Sequence, residues 1–390
     1  MRTIYLDHAA TTPPLAEVAE AMKPYLAKKF GNPSALYALG RESRAAVEEA
    51  RKKVASLIGA STDEIYFTSG GSESDNMALL GTLLANEEKG RHLVTTEIEH
   101  HAVLETARFL AAHGHEATFI GVDSDGIVDP DEVRKAIRPS TVLVSVMHAN
   151  NEVGTVEPIR EISDICREAG AYFHTDAVQT VGNIPVNVDE LGADLLSMSG
   201  HKLYGPKGIG AVYIRKGTRI HRLIHGGEQE KGMRAGTENI PGIVGLGVAA
   251  EVAEGELDEK VVRISALRDR LVEGIQSSID DVFVNGHPTL RLPNNAHFAI
   301  RFIEGEAICL QLDTVGICAS TGSACSSEAL EPSHVLLAIG VDPLEAHGSV
   351  RFSLGRGTTG EEIDYVLEQF PPVVERLRSM SPLARRSGKQ

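Results

Sequence analysis

Two charged residues stand where apolar runs of the sequence end. Lys202 follows the run DLLSMS after a Gly-His pair, and Asp176 closes the run AYFHTD. A lysine partly removed from water has a lowered pKa, and its neutral amine can form a Schiff base with an aldehyde. A buried carboxylate needs a cation such as a protonated pyridine nitrogen, although Asp176 could equally cap a helix. Lys207, in GPKGIG, competes with Lys202 but is more typical of a turn charge.

Two further loops offer an anion site and an imidazole. In TSGGSESDN, residues 69–72 lead from a predicted strand into a helix, whose free N–H groups suit a phosphate. A capped tight turn, with Ser72 as the N-cap and Asp75 three residues on, is an equally good interpretation. In EIEHHAV, His100 and His101 begin a helix, where an imidazole could stack on a planar ligand or transfer protons. An exposed pair without such a role is the alternative.

Together the four loops match the parts of one cofactor. A phosphate-binding turn, a stacking imidazole, a carboxylate and an amine correspond to the phosphate, ring, ring nitrogen and aldehyde of pyridoxal 5′-phosphate. Each loop alone is weakly specific, but all four follow predicted strands of one α/β region. Their combination therefore favours a pyridoxal-phosphate site.

The elements that must position these loops alternate along the chain. β-branched runs such as EIYFT, RHLVTT and TVLVSVMH alternate with helices, which predicts an α/β fold with a mainly parallel sheet covered on both faces. Ligands of such folds bind at the carboxyl ends of the strands. A long helical stretch then leads into a smaller α/β layer. We expect a large domain of residues 15–255 and a small domain of residues 1–14 and 256–390.

Composition narrows the class of protein. The 390 residues carry 38 Lys and Arg against 54 Asp and Glu, a net charge of −16 at pH 7. An acidic chain repels phosphate backbones, so we expect no direct nucleic-acid binding. The four cysteines include no C-x-x-C pair and form no disulfide framework, which argues against a metal site and favours a reducing compartment. No apolar run approaches the ~20 residues of a membrane span, so we expect a cytoplasmic protein without membrane contact.

Cys325 lies in CASTGSACSSEAL, a strip of small residues with no helical period. A packing cysteine belongs among large apolar residues, as Cys166 does on the apolar stripe of IREISDICREAG. A reactive cysteine needs exposure and room to move, which a strip of this composition provides. We therefore expect Cys325 to be a reactive thiol on a mobile arm, with Cys318 as its weaker competitor.

The sequence resembles the cysteine desulfurases of the NifS/IscS branch, in the class-V aminotransferase family of fold-type I pyridoxal-phosphate enzymes. The likeness runs from about Tyr5 to Arg356 and is carried by YLDHAATTP, FTSGGSESDN, EHHAV, NNEVGT, HTDAVQ, SGHKLYGPKGIG, RAGTEN, TGSACSS and VRFSLGR. It implies the transferase fold of that class, with a large cofactor-binding domain and a smaller one. It also implies removal of sulfur from L-cysteine, giving L-alanine and a persulfide on Cys325.

The resemblance implies a role for each matching residue. Lys202 would form the Schiff base, Cys325 would take the sulfur, and His100, rather than His101, would stack on the cofactor and transfer protons. Asp176 would pair with the pyridine nitrogen, and Gln179 would bond the phenolic oxygen. The residues that would hold the phosphate are Gly71, Ser72, Ser199 and His201.

The resemblance also implies how substrate and a second subunit are bound. Asn151 and Arg351 would orient the carboxylate of the amino acid, because arginine binds carboxylates through two hydrogen bonds. Thr237, in RAGTEN, would reach the phosphate in the partner subunit, which implies a homodimer. No resident metal is implied, although Cys325 could help to bind a transferred iron–sulfur cluster.

The sequence leaves the sulfur acceptor and three other functions open. An iron–sulfur scaffold protein or another carrier could receive the sulfur. The short basic C-terminus and Glu228, which stands where the family often has glycine, do not decide between them. A selenocysteine lyase or a small-amino-acid aminotransferase would share the fold. A sulfur-assembly platform without turnover is the alternative of another class, although it need not keep Lys202, His100 and Cys325 together.

Overall fold

The structure, a computed structural model, describes residues 3–322, 332–382 and 384. Across these residues, twelve strands form three sheets. The strands are β1 Ile4–Tyr5, β2 Ile65–Thr68, β3 His92–Thr96, β4 Glu116–Ile120, β5 Thr141–Ser145, β6 Tyr172–Asp176, β7 Leu195–Ser199, β8 Gly210–Ile214, β9 Val282–Asn285, β10 Asn295–Ile300, β11 Ile317–Cys318 and β12 Ser349–Ser353.

Helices connect and cover these strands. They are α1 Ala16–Ala27, α2 Ala38–Leu57, α3 Gly71–Ala85, α4 His101–Ala112, α5 Pro130–Ala136, α6 Ile159–Ala169, α7 Val188–Leu191, α8 Ile240–Ser278, α9 Gly305–Thr314, α10 His334–Ala338, α11 Pro343–Ala346 and α12 Gly360–Met380. In the part of the chain that the structure describes, none of the helices has the length and apolar character needed to cross a membrane.

Seven strands form the large sheet, in the order β2-β8-β7-β6-β5-β3-β4. Strands β4, β3, β5, β6 and β7 run parallel, whereas β8 is antiparallel to both of its neighbours. Strands β3, β5, β7 and β8 are buried along their whole length, as expected where helices cover both faces. The predicted mainly parallel mixed sheet is therefore confirmed, and its parallel strands end at one edge.

A smaller antiparallel sheet, in the order β12-β10-β9, forms the second layer that the sequence predicted. Helix α8 joins the two layers, because Leu246 packs in a core of the large sheet and Leu271 packs in the core of the small one. The third sheet pairs β1 with β11 in parallel, which attaches the beginning of the chain to the small layer. A domain boundary at residues 255 and 256 stays a prediction.

A buried ion pair fastens α2 to the loop that precedes the RAGTEN motif. Arg51 donates to both carboxylate oxygens of Glu230 at 2.7 and 2.9 Å, and both side chains are 3% exposed. Glu230 also accepts a hydrogen bond from the N–H of Phe67 at 2.8 Å, which ties the loop to β2. Glu228, the residue that departs from the family pattern, is exposed. The structural carboxylate of this loop thus lies two residues beyond it.

We expect Glu230→Ala to lower the free energy of unfolding by about 3–5 kcal/mol, because Arg51 would lose its buried partner and keep only the exposed Glu48, 3.3 Å from its Nε. Asp63→Asn is a suitable control, since Asp63 is 90% exposed where it pairs with Lys231. Its loss should change the free energy of unfolding by less than about 1 kcal/mol. Urea unfolding followed by circular dichroism measures both variants. Equal effects would contradict the prediction.

Candidate active site

A cavity of about 330 Å³ lies at the edge of the large sheet where the parallel strands end. The carboxyl ends of parallel strands meet at one edge, so loops far apart in sequence come together there. Ten residues that the sequence singled out line the cavity: Gly71, Ser72, His100, Asn151, Asp176, Gln179, Ser199, His201, Lys202 and Arg351.

The glycine turn after β2 has no room for a side chain at Gly71. A Cβ built there would lie 2.8 Å from Cγ2 of Val178. Helix α3 begins at Gly71 with Gly70 as its N-cap, so the interpretation of Ser72 as the N-cap is wrong. Gly70 has φ 155° and ψ −178°, a conformation that essentially only glycine adopts, and the helix can therefore begin earlier than predicted. Ser72 lies in the first turn, where backbone N–H groups have no partner within the helix.

The amine of Lys202 is held by the beginning of the chain. Its Nζ donates hydrogen bonds to the carbonyl oxygen of Ala9 and, at 2.8 Å, to that of Ala10. The Ala9 carbonyl also accepts from Nε2 of Gln179 at 3.1 Å. The competing Lys207 is exposed and does not line the cavity. The structure therefore brings Lys202, and not Lys207, to the candidate site.

Asp176 ends β6 as a buried carboxyl group. The next helix in this described part of the chain, α7, starts only at Val188, so the alternative in which Asp176 caps a helix is wrong. Its Oδ1 instead accepts a hydrogen bond from the N–H of Val178 at 2.9 Å. Burial raises the pKa of Asp176, and His100, the Val178 amide and Lys202 oppose the rise only in part. A cation placed against this carboxyl group would favour its ionised form.

His100 is the N-cap of α4. The N–H of Ala102 donates to Nδ1 of His100 at 3.1 Å, so the proton of the neutral ring lies on Nε2. Burial lowers the pKa of His100; Asp176 opposes this effect, and Lys202 and His101 add to it. His101 also lines the cavity, but its ring packs against another imidazole, that of His334, with ring centroids 4.9 Å apart.

Arg351, on β12, brings a guanidinium group from the small layer to the cavity. Its side chain is 2% exposed. Nη1 donates to the carbonyl oxygens of Asn151 at 2.7 Å and Gly322 at 3.1 Å, and Nη2 donates to Oδ1 of Asp7 at 2.9 Å. Among the described residues, Nε has no hydrogen-bond partner. The protein therefore fixes the direction of this guanidinium group at the wall of the cavity.

Two predicted residues lie apart from this cavity or outside the described residues. Thr237 is exposed and does not line the cavity. Cys325 lies outside the described residues, but Gly322, three residues before it in sequence, lines the cavity. Cys318 lies in β11, and Cys166 is fully buried in α6, as expected of a packing residue.

Sequence reasoning missed several groups at the site. Asp7, Ala9 and Ala10 contact Arg351 and Lys202, although all three lie in YLDHAATTP, a segment that carried the resemblance. Asp75, interpreted only as part of a capped turn, lines the cavity. Glu152, in NNEVGT, is another lining residue. The motifs marked these positions, but nothing in the sequence assigned them contacts.

Known proteins resemble this chain over nearly its whole length. The model of the aminotransferase class-V family matches residues 4–366. A protein of Dictyoglomus turgidum named cysteine desulfurase IscS is 58% identical over 382 residues, 98% of this chain and 97% of its own. A solved NifS-like protein has a TM-score of 0.91 at 39% identity and covers 96% of this chain and 100% of its own. A structure described as SspA in complex with cysteine has a TM-score of 0.80 at 38% identity, covering 90% and 99%.

Proposed function

The chain belongs to the class-V aminotransferase family and is a cysteine desulfurase, and we propose that it works with pyridoxal 5′-phosphate bound in the cavity beside Lys202 and Asp176. The convergence of ten predicted residues on this one cavity carries the proposal. When bound, the cofactor withdraws electrons from the α-carbon of an amino acid. Use of this cofactor is a general property of the family.

The described walls of the cavity fit the cofactor group by group. At Gly71, where a Cβ would meet Val178, the bare backbone can approach a phosphate. Burial lowers the pKa of His201 to about 4, and its imidazole would donate a hydrogen bond to the phosphate. The buried carboxyl of Asp176 would accept the protonated ring nitrogen. The remaining contacts would come from Ser72 and Ser199 at the phosphate, Gln179 at the phenolic oxygen and Lys202 at the aldehyde.

The substrate L-cysteine would be oriented by its carboxylate. Arg351 is held by three hydrogen bonds to protein oxygens and retains a buried Nε without a described partner. A carboxylate would therefore bind to an arginine whose direction is already fixed, so that little side-chain entropy of Arg351 is lost on binding. Asn151 lines the same part of the cavity and would complete the carboxylate contact.

His100 would stack on the cofactor and transfer protons during the reaction. Its neutral ring holds a proton on Nε2 while Nδ1 accepts from the Ala102 amide. Because burial lowers its pKa, the ring is neutral near pH 7. Uptake of a further proton at Nδ1 would cost the ring its hydrogen bond from the Ala102 N–H, which disfavours the imidazolium form.

Cys325 would take the sulfur as its thiolate attacks the sulfur atom of the bound cysteine. A bond forms between the two sulfur atoms as the Cβ–S bond breaks, and a proton delivered to Cβ completes alanine. The position of Gly322 in the cavity wall, in the same sequence strip, supports this role. The persulfide would then pass to an iron–sulfur scaffold or another sulfur acceptor in the cytoplasm. At a scaffold, Cys325 could also help to bind the transferred cluster.

Lys202→Ala should lose covalent attachment of the cofactor, because no other described lysine lines the cavity. Borohydride reduction of the wild type, followed by peptide mass spectrometry, should find the pyridoxyl mass on the peptide that contains Lys202. The control Lys207→Ala should keep it. A pyridoxyl group on Lys207 in the wild type would overturn the assignment.

Cys325→Ser should bind cofactor and cysteine but form no persulfide and release almost no alanine. A free thiol with a pKa of about 8.5 is already a few per cent thiolate near neutral pH, whereas a serine hydroxyl is far harder to ionise. Cys318→Ser should retain most activity, since burial and two nearby acidic groups raise the pKa of this thiol. Alanine is measured by chromatography and persulfide by thiol labelling. Opposite behaviour of the two variants would make Cys318 the nucleophile.

We also propose a homodimer in which Thr237 contacts the phosphate bound by the partner subunit. Its exposure and its distance from the cavity of its own chain support this arrangement. Sedimentation velocity should give a dimer, and Thr237→Ala should weaken cofactor binding without changing the sedimentation coefficient. A monomer with full activity at high dilution would contradict both expectations.

A further inference from the structure

Asp75 is a buried carboxyl group that the proposed reaction does not use. It lies in the first turns of α3, is 1% exposed and lines the cavity. One polar atom from each of Asp75, Asp176 and His100 lies within 4.8 Å of the others. The carboxyl groups of Asp75 and Asp176 therefore lie close to one another in the wall of the same cavity.

The groups around Asp75 do not offer it a positive charge. Among the residues that the structure describes, the one group at ion-pair distance from Asp75 is His174, whose Nε2 lies 3.7 Å from Oδ1 of Asp75. Both nitrogens of that ring are engaged, Nδ1 with Ser145 at 2.8 Å and Nε2 with Ser197 at 3.0 Å. Burial lowers the pKa of His174 to about 3, so the ring is neutral. Oδ1 of Asp75 has no hydrogen-bond partner among these residues.

The titratable groups that raise the pKa of Asp75 are acidic, and the nearby Lys202 also acts on Asp176. Burial raises the pKa of Asp75 well above its usual value; Asp176 and Glu99 add to this rise, and the Ser197 hydroxyl opposes it in part. Lys202 acts on Asp176 and on His100. Two carboxylates this close in a dry site cannot both ionise at low cost.

We infer that Asp75 is the protonated member of a carboxyl pair and a positioning residue for Asp176. A neutral Asp75 leaves one negative charge for the pair, on Asp176, and supplies an O–H donor beside it. The inference rests on the proposed function, because it makes Asp176 the single anion opposite the ring nitrogen of the cofactor. Since protonated Asp75 is a neutral donor, asparagine should replace it, whereas alanine should not.

Cofactor binding to the full-length chain freed of pyridoxal 5′-phosphate tests the positioning role. The dissociation constant, from fluorescence titration, should stay within about threefold of wild type for Asp75→Asn, and rise about tenfold or more for Asp75→Ala and Asp176→Asn. If Asp75→Asn binds as weakly as Asp176→Asn, Asp75 is ionised and the inference fails. If Asp75→Ala binds like wild type, Asp75 positions nothing. A wild-type chain that does not bind the cofactor would overturn the proposed function instead.

Thermal unfolding of the same cofactor-free chain tests the protonation state independently. A carboxyl whose pKa is raised in the folded state stabilises the fold at low pH, and this contribution is lost as pH rises from about 4 through the raised value. The melting temperature of the wild type should therefore fall relative to that of Asp75→Asn between about pH 5 and 8. The exposed Asp131→Asn should track the wild type. Parallel curves for wild type and Asp75→Asn would overturn the inference.

Discussion

The hydrogen bonds of the first dozen residues hold the two layers of the site together. Asp7 accepts from Arg351 of the small layer, and the carbonyl oxygen of Ala9 accepts from Lys202 of the large one. The same segment begins with β1, which pairs with β11, and Cys318 of β11 is the first residue of the strip that contains Cys325. One short extended segment therefore contacts the guanidinium group of Arg351, the amine of Lys202 and the strand at the start of the strip that contains Cys325. A shift of either layer would break bonds to buried groups, which are costly to leave unpaired.

Exclusion of water determines which of the surrounding groups carry charge. Burial lowers the pKa of His174 to about 3 and that of His201 to about 4, and it raises the pKa of Asp176. The buried imidazoles are therefore neutral groups that form hydrogen bonds. The buried carboxyl group of Asp176 ionises more readily when a cation lies beside it. The proposed cofactor, with a protonated ring nitrogen, would supply that cation, and its binding and the ionisation of Asp176 would then favour one another.

The sequence predicted the strand-end loops because a local rule covers them: parallel strands end at one edge, and polar residues directly after them share that edge. Lys202, Asp176 and His100 follow this rule. Contacts set by chain topology escaped prediction, since nothing near Asp7 in the sequence indicates that its partner is on β12. The residue types at Ser72 and Asp75 allow a capped turn as well as a phosphate-binding loop, but the backbone of Gly70 starts α3 earlier and excludes Ser72 as the N-cap. The sequence could not predict the burial of Asp75 either, because the residues that bury it, such as His174 of β6, are distant in the sequence.

The cavity and the fixed direction of Arg351 determine where a substrate would lie. A volume of about 330 Å³ is at the lower end of the range for ligand pockets, and a cofactor would occupy much of it. An amino acid bound by its carboxylate would then lie at Arg351, whose guanidinium is held by three hydrogen bonds. One of these bonds ends on the carbonyl of Gly322, which belongs to the strip that contains Cys325. A substrate anchored by its carboxylate at Arg351 would therefore lie close to Gly322, and Cys325 follows Gly322 by three residues in the sequence.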